Sequence, residues 1–194
     1  MTAADGRPRT PGPGTPGSRP QRAATSLPLP FLRNGVAQIA FVVEDLDRTV
    51  KNYYHLFGIG PWTFYTYEKP FVPHMSRHGE PVDYAMRIAL SYFGDMRVEL
   101  IEQLHGDTVY QEFAQEHGYG IQHLGVLVDD MEQAITQAEA AGIAMVQDGA
   151  GFGPDGDGHY AYLDTQELIG TMIELIERPK GRKEPEKVYP EPEE

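Results

Sequence analysis

The sequence predicts an α+β domain made of one structural unit used twice: a strand, a helix and three more strands. Two observations carry this. Gln38-Ile-Ala-Phe-Val-Val-Glu-Asp-Leu-Asp47 reads against His123-Leu-Gly-Val-Leu-Val-Asp-Asp-Met-Glu132, in each case an alternating strand that runs into an acidic helix start. The word Glu-Leu-Ile-Glu then occurs twice, at 99–102 behind Val98 and at 174–177 behind Ile173. One such unit cannot bury both its apolar sheet face and its helix stripe, so two units should pack together.

Taken in order, residues 1–30 are rich in Pro, Gly, Arg and Thr and read as a disordered arm, with Leu27–Leu32 able to dock as an extended segment. Gln38–Val43 is a strand with Ile39, Phe41 and Val43 on one face and Gln38, Ala40 and Val42 on the other. Asp45 or Asp47 caps a helix reaching Phe57, with Leu46, Val50, Tyr53, Tyr54 and Phe57 at helical spacing and Gly58 as the stop. An aromatic strand, Trp62–Tyr67, precedes a Pro- and His-containing loop over 68–82, long enough to act as a cover. Strands follow at Tyr84–Ser91 and Met96–Glu102, then a short helix over 107–118. The second unit opens at His123–Val128. Asp129 with Glu132 resembles a capping box, and Ala134, Ile135, Ala138 and Ala141 form a buried stripe ended by Gly142. Strands near Ala144–Gln147, Tyr160–Asp164 and Thr171–Glu177 complete it, with a glycine-rich lip at Gly149–Gly158. Residues 179–194 read as a flexible charged tail. The domain is thus 31–178, with its units at about 36–105 and 121–178.

Composition narrows the function. The chain has 194 residues and a net charge of -13. The first thirty residues hold four Arg and one Asp, and the last sixteen hold four Lys or Arg and five Glu. The 31–178 part therefore carries -15 with eight basic residues. A nucleic-acid partner is excluded for want of a basic face, and the same scarcity counts against a large polyanionic ligand. With no cysteine there is no disulfide or thiolate chemistry, which fits the cytoplasm. No apolar run is long enough for a membrane span, and no Gly-x-Ser-x-Gly element is present.

Strand alternation supplies the chemistry. If Val98, Leu100, Ile173 and Leu175 pack under the helices, Glu99 and Glu174 point to the opposite, concave face together with Gln38 and His123. A carboxylate inside a β-branched run is costly to bury without a partner, so convergence of the four is expected. Glu102 and Glu177 fall on the other face and read as exposed.

These residues, over roughly Ala37–Arg178, resemble the vicinal oxygen chelate superfamily, the group of glyoxalase I, methylmalonyl-CoA epimerase and bleomycin-resistance proteins. The resemblance implies a cup-shaped mixed sheet from two βαβββ modules, with helices outside. It also implies one divalent metal (Zn, Ni, Co, Mn or Mg) held by Gln38, Glu99, His123 and Glu174. Such an ion polarises a carbonyl, and a carboxylate beside it moves a proton at the adjacent carbon; Glu174 is the principal candidate, Glu99 the second. Epimerases of the group usually begin with His and place Gln in the second slot, and this chain departs there. The expected function is a metal-dependent isomerase or epimerase acting on a small carbonyl compound, as a homodimer. A glyoxalase-type lyase is the near alternative, and a metal-free sequestration protein is the alternative from another class. An extradiol dioxygenase would need two His in ligand slots and fits less well. The aromatic stretch favours an apolar or aromatic substrate, with Trp62, Phe64, Tyr65, Asp83 and His159 as pocket candidates. His74 and His78 are weaker candidates, and His55, His105 and His117 read as surface positions.

Overall fold

A computed structural model of the chain describes residues 29–192. The disordered arm expected for 1–30 lies almost entirely outside the described residues. Its end does dock: Pro30–Asn34 forms a 3-10 turn, helical rather than extended, and buries Phe31 against the second unit's helix.

The first unit comprises β1 (Gln38–Val42), α1 (Leu46–Phe57), β2 (Trp62–Tyr67), β3 (His74–Arg77), β4 (Glu80–Pro81), β5 (Ala85–Phe93) and β6 (Met96–His105). After α2 (Val109–His117) the second unit runs β7 (Gly120–Leu127), α3 (Met131–Ala140), β8 (Met145–Ala150), β9 (His159–Leu163), the single turn α4 (Gln166–Ile169) and β10 (Met172–Glu177). A last strand, β11, spans Lys187–Tyr189. All strands belong to one sheet in the order β11-β2-β5-β6-β1-β7-β10-β9-β8-β3-β4. In each unit the first and last strands pair in parallel, β1 with β6 and β7 with β10. The antiparallel β1–β7 pair joins the units within one chain and sets Ala40 opposite His123. No helix among the described residues is long and apolar enough to cross a membrane.

The expected alternation is what the sheet shows. Phe41, Val43, Val98 and Leu100 pack with Leu46 and Val50 of α1, and Val126, Val128, Ile173 and Leu175 pack with Met131, Ala134 and Ala138 of α3. Burying side chains such as Leu46 and Val50 contributes about 1.5–3 kcal/mol each. Asp45 caps α1 by accepting from the Arg48 N–H, worth about 1 kcal/mol. On α3 the cap is Asp130, which accepts from Gln133, and not Asp129. Phe57 lies beyond the packed stripe of α1 and is exposed.

Four further expectations change. The 68–82 loop contains β3 and β4, and β3 adds to β8 of the other unit. Its partner is more than sixty residues away, so prolines and glycines hid the strand. Trp62 and Phe64 face α1 in the helix-side core, because alternation along β2 sends only Tyr65 and Tyr67 toward the concave cluster. Glu102 and Glu177 are half-buried and partnered: Arg87 donates to Glu102, and Glu177 accepts from the Met131 N–H at the start of α3. The charged tail runs along the molecule, and β11 pairs with the outer edge of β2.

Candidate metal centre

The concave face gathers the four polar side chains. Glu99, His123 and Glu174 are all buried, and each offers a ligand atom within 4.8 Å of the others. His123 Nε2 stands 3.2 Å from Glu174 Oε2 and 3.5 Å from Glu99 Oε2. Donors about 2.0–2.2 Å from one divalent ion stand about this far apart, so the three have the spacing such an ion needs. The Gln38 amide nitrogen donates to Glu99 Oε2 and to Glu174 Oε2, both at 2.8 Å, and lies 3.3 Å from His123 Nε2.

Backbone packing makes this convergence affordable in space. Gly125 sits beside both Gln38 and Glu174 in the sheet. A Cβ there would lie 2.7 Å from Ile176 Cδ1, 2.9 Å from Gln38 Cβ and 3.2 Å from Glu174 Oε2. Ala40 holds the matching place in the first unit and is fully buried.

The surrounding residues orient the site. The β1–β7 register slips at Gln122, where β7 carries an extra residue. Such a bulge redirects side chains, and here Gln122 Oε1 comes within 2.7 Å of His123 Nδ1. That contact commits Nδ1 as the N–H and leaves Nε2 for the centre. The Tyr162 hydroxyl donates to Glu174 Oε1 at 3.1 Å, shares a 2.7 Å hydrogen bond with Tyr110, and its ring meets His123 edge-on at 5.0 Å. Burial, reinforced by Glu174, holds the Tyr162 phenol well above its ordinary pKa, so it stays a donor. Burial alone would push His123 down. The carboxylates of Glu174 and Glu99 outweigh it and hold the imidazole up at about 9.

Arg97 bears directly on Gln38. It is buried beside Glu99 on β6, and its Nε donates to Gln38 Oε1. A guanidinium can only donate and a carboxylate only accept, so the amide orientation follows from its neighbours. Its NH2 faces the carboxylates and its oxygen faces away. Turning the amide over toward an ion would set two donors against each other at Arg97.

The cavity above these groups is lined by Tyr67, Phe152 and Tyr160 and by Arg97, Arg178 and Arg182, and is small, ≈ 40 Å³, room for about three waters. Of the pocket candidates, Tyr65 lies in the concave core and borders an adjoining pocket with Phe71 and Lys183. Trp62 and Phe64 lie behind the sheet, and Asp83 is exposed outside the cavity. His159 also stands apart, its Nε2 2.8 Å from Asp148 Oδ2, with His74 Nε2 3.4 Å from the same oxygen. His78 is an exposed turn residue with φ 51°. Arg97, Arg178 and Tyr162 are additions. Period-two counting from Glu99 and Glu174 reaches both arginines, whereas Tyr162 and the bulge at Gln122 depend on cross-strand register.

A family model described as the glyoxalase/bleomycin resistance protein/dioxygenase superfamily matches residues 37–162, and the chain belongs to that superfamily. Comparison with curated proteins finds no match. Similar solved structures include a hypothetical protein from Bacillus halodurans C-125 at 19% identity, covering 77% of this chain and 97% of that one, with TM-score 0.53. Methylmalonyl-CoA epimerase from Mycobacterium tuberculosis is 21% identical over 75% of this chain and 89% of its own, with TM-score 0.52. A Streptomyces coelicolor methylmalonyl-CoA epimerase variant in complex with 2-nitronate-propionyl-CoA is 16% identical over 77% and 98%, with TM-score 0.54. At these identities the likeness is one of fold.

Proposed function

We propose that the protein is a metal-dependent enzyme of the isomerase or epimerase type, moving a proton at the carbon next to a carbonyl. The observation that supports it is the buried Glu99–His123–Glu174 group, whose ligand atoms converge at metal-binding separations. A divalent ion there would polarise the carbonyl and stabilise the negative charge that develops as the neighbouring C–H loses its proton. Gln38 joins as a fourth ligand only if its amide turns and Arg97 gives way.

The residues divide the remaining work. Tyr162 engages the second oxygen of Glu174, whereas Glu99 Oε1 has no hydrogen bond with any described residue. Glu99 is therefore at least the equal of Glu174 as the group that takes and returns the proton. The small, aromatic-walled cavity restricts water around the reacting carbon.

The test is metal content and response. Protein purified without chelators should hold close to one divalent ion per chain, and added Zn, Ni, Co, Mn or Mg should raise the melting temperature of stripped protein. If neither is seen, the enzyme reading falls. The metal-free binding reading then stands, favoured by one feature: Gln38 NH2 and the His123 proton already offer hydrogen bonds to the two carboxylates without an ion.

A further inference from the structure

Charge around the cavity runs against the rest of the molecule. The chain has 29 acidic residues to 16 Lys and Arg. Among the described residues outside the cavity, three of the four arginines meet carboxylates: Arg48 meets Glu44, Arg77 meets Glu112, and Arg87 meets Asp47 and Glu102. Arg97, Arg178 and Arg182 line one cavity, and none has an ion pair with a described residue. Arg97 is buried, with only its Nε committed, to Gln38. Glu99 and Glu174 line the same cavity and attract Arg97, but Arg178 and Arg182 add two further positive charges there, and the three guanidinium groups repel one another less when a further anion lies among them.

Arg178 and Arg182 belong to, or adjoin, a strap that crosses the cup from one unit to the other. On the second-unit side, Asp157 Oδ2 accepts from the Lys180 N–H at 2.8 Å. On the first-unit side, Lys183 Nζ donates to Phe71 O at 3.2 Å and lies 4.3 Å over the Phe71 ring. Glu186 accepts from the Thr66 N–H and hydroxyl at 2.8 and 2.9 Å, and β11 then pairs with β2. The arginines are thus held over the mouth by a segment anchored at both ends. Beneath it, Tyr67 packs against Phe71 and Phe152 with ring centroids 5.3 and 5.4 Å apart.

We propose that the cavity takes a substrate with an oxyanion, a carboxylate or a phosphate, on an apolar or aromatic body, and that Arg97, Arg178 and Arg182 hold that anion. The aromatic rings take the body, and the end opposite the anion faces Glu99, His123 and Glu174. Assigning a carbonyl to that end rests on the enzyme reading above; the anion site itself does not. The scarcity of cations counted against a large polyanionic ligand, and a single oxyanion on a small body is compatible with it. The count for the domain was right, but three guanidinium groups are concentrated where the ligand would lie. Guanidinium groups suit either oxyanion, since their N–H forks match both geometries. The free space beside them is small, so the exposed side chain of Arg182 must shift to admit the body of the ligand.

The experiment titrates the full chain calorimetrically with benzoate, phenyl phosphate and the neutral isostere benzamide, in metal-free and Mn-loaded forms. Wild type should bind at least one of the two anions saturably and about tenfold or more tighter than benzamide, and preference between the anions identifies the oxyanion. The variant R178Q/R182Q, altered at two exposed positions, should lose that preference while keeping its melting temperature and its Mn affinity. Binding should also weaken as salt rises. Equal affinity for benzoate, phenyl phosphate and benzamide, or equal anion binding by wild type and variant, overturns the proposal. Failure of Mn binding in wild type would sink the metal reading alone, because the metal-free titration still decides the anion site.

Discussion

Gln38 and His123 lie on the first strands of the two units, and the two side chains are held in opposite ways. Gln122 engages Nδ1 of His123, so Nε2 faces the centre. Arg97 turns Gln38 so that its oxygen faces away and its amide nitrogen occupies the middle. The last strands repeat the contrast: Tyr162 fixes Glu174, while the second oxygen of Glu99 has no partner among the described residues. A duplicated unit supplies two equivalent pairs of positions, but the neighbours of each pair decide its chemistry. The second unit presents a candidate ligand pair fixed by its own neighbours, and the first presents a Gln held by Arg97 and a Glu with one oxygen unpartnered among the described residues, next to a cationic wall.

The largest effects should come from removing members of the fixed pair. His123→Ala should weaken divalent-ion binding by more than the 10–100-fold typical of an outer residue, so more than about 100-fold. Gln38→Ala should cost far less, because only a turned amide could reach an ion. Calorimetric titration of stripped protein with Zn or Mn measures both, and equal losses would erase the contrast between the units.

Much of this was legible in the sequence, for a physical reason. The period of a strand is fixed, so Gln38, Glu99, His123 and Glu174 could be placed on one face by counting alone. Counting two further from Glu174 through Ile176 reaches Arg178, and two back from Glu99 reaches Arg97. What counting cannot see is a slip in register. The extra residue at Gln122 puts neighbouring side chains in contact, and only the β1–β7 pairing shows it. Pairing across the units likewise made β3 a strand and the tail a strap, through partners far away in the chain. The aromatic run of β2 shows the cost of counting residue types without faces, since Trp62 and Phe64 belong to the core under α1.

The next effect tests the shared floor of the two units. Gly125→Val puts carbon where Ile176, Gln38 and Glu174 already stand. Overpacking of this kind costs about 1–3 kcal/mol, and it should separate the fixed pair from Gln38. A lower midpoint in urea together with lost metal binding is expected. Unchanged metal affinity would show that the two halves do not share one close-packed floor.

A smaller and graded effect follows from His123. Its folded-state value of about 9 lies above the ordinary 6.5. In metal-free protein the protonated imidazole therefore adds stability that is fully present below pH 6.5 and is lost as pH rises through 9. The melting temperature of stripped protein should fall across that window. Metal must displace the same proton, so apparent affinity should rise with pH, by about tenfold per unit up to about pH 9. Melting curves and metal titrations at pH 6.5, 7.5 and 8.5, in buffers of different ionisation enthalpy, should report about one proton released per ion. A flat profile would mean that the carboxylates do not hold His123 protonated.

The smallest change asks whether the fixed half can be loosened without breaking it. Tyr162→Phe keeps the ring against His123 and removes the hydroxyl that joins Glu174 to Tyr110. Leaving those partners unsatisfied should lower stability by about 1–3 kcal/mol, and loss of an orienting contact should weaken metal binding by about tenfold, the low end for such residues. Glu174 would then be as unrestrained as Glu99. If proton transfer falls to whichever carboxylate is less restrained, Tyr162→Phe should partly rescue solvent deuterium exchange in a Glu99→Gln background while leaving Glu174→Gln unaffected. Absence of that rescue, with metal still bound, would assign the difference between the two units to position rather than to restraint.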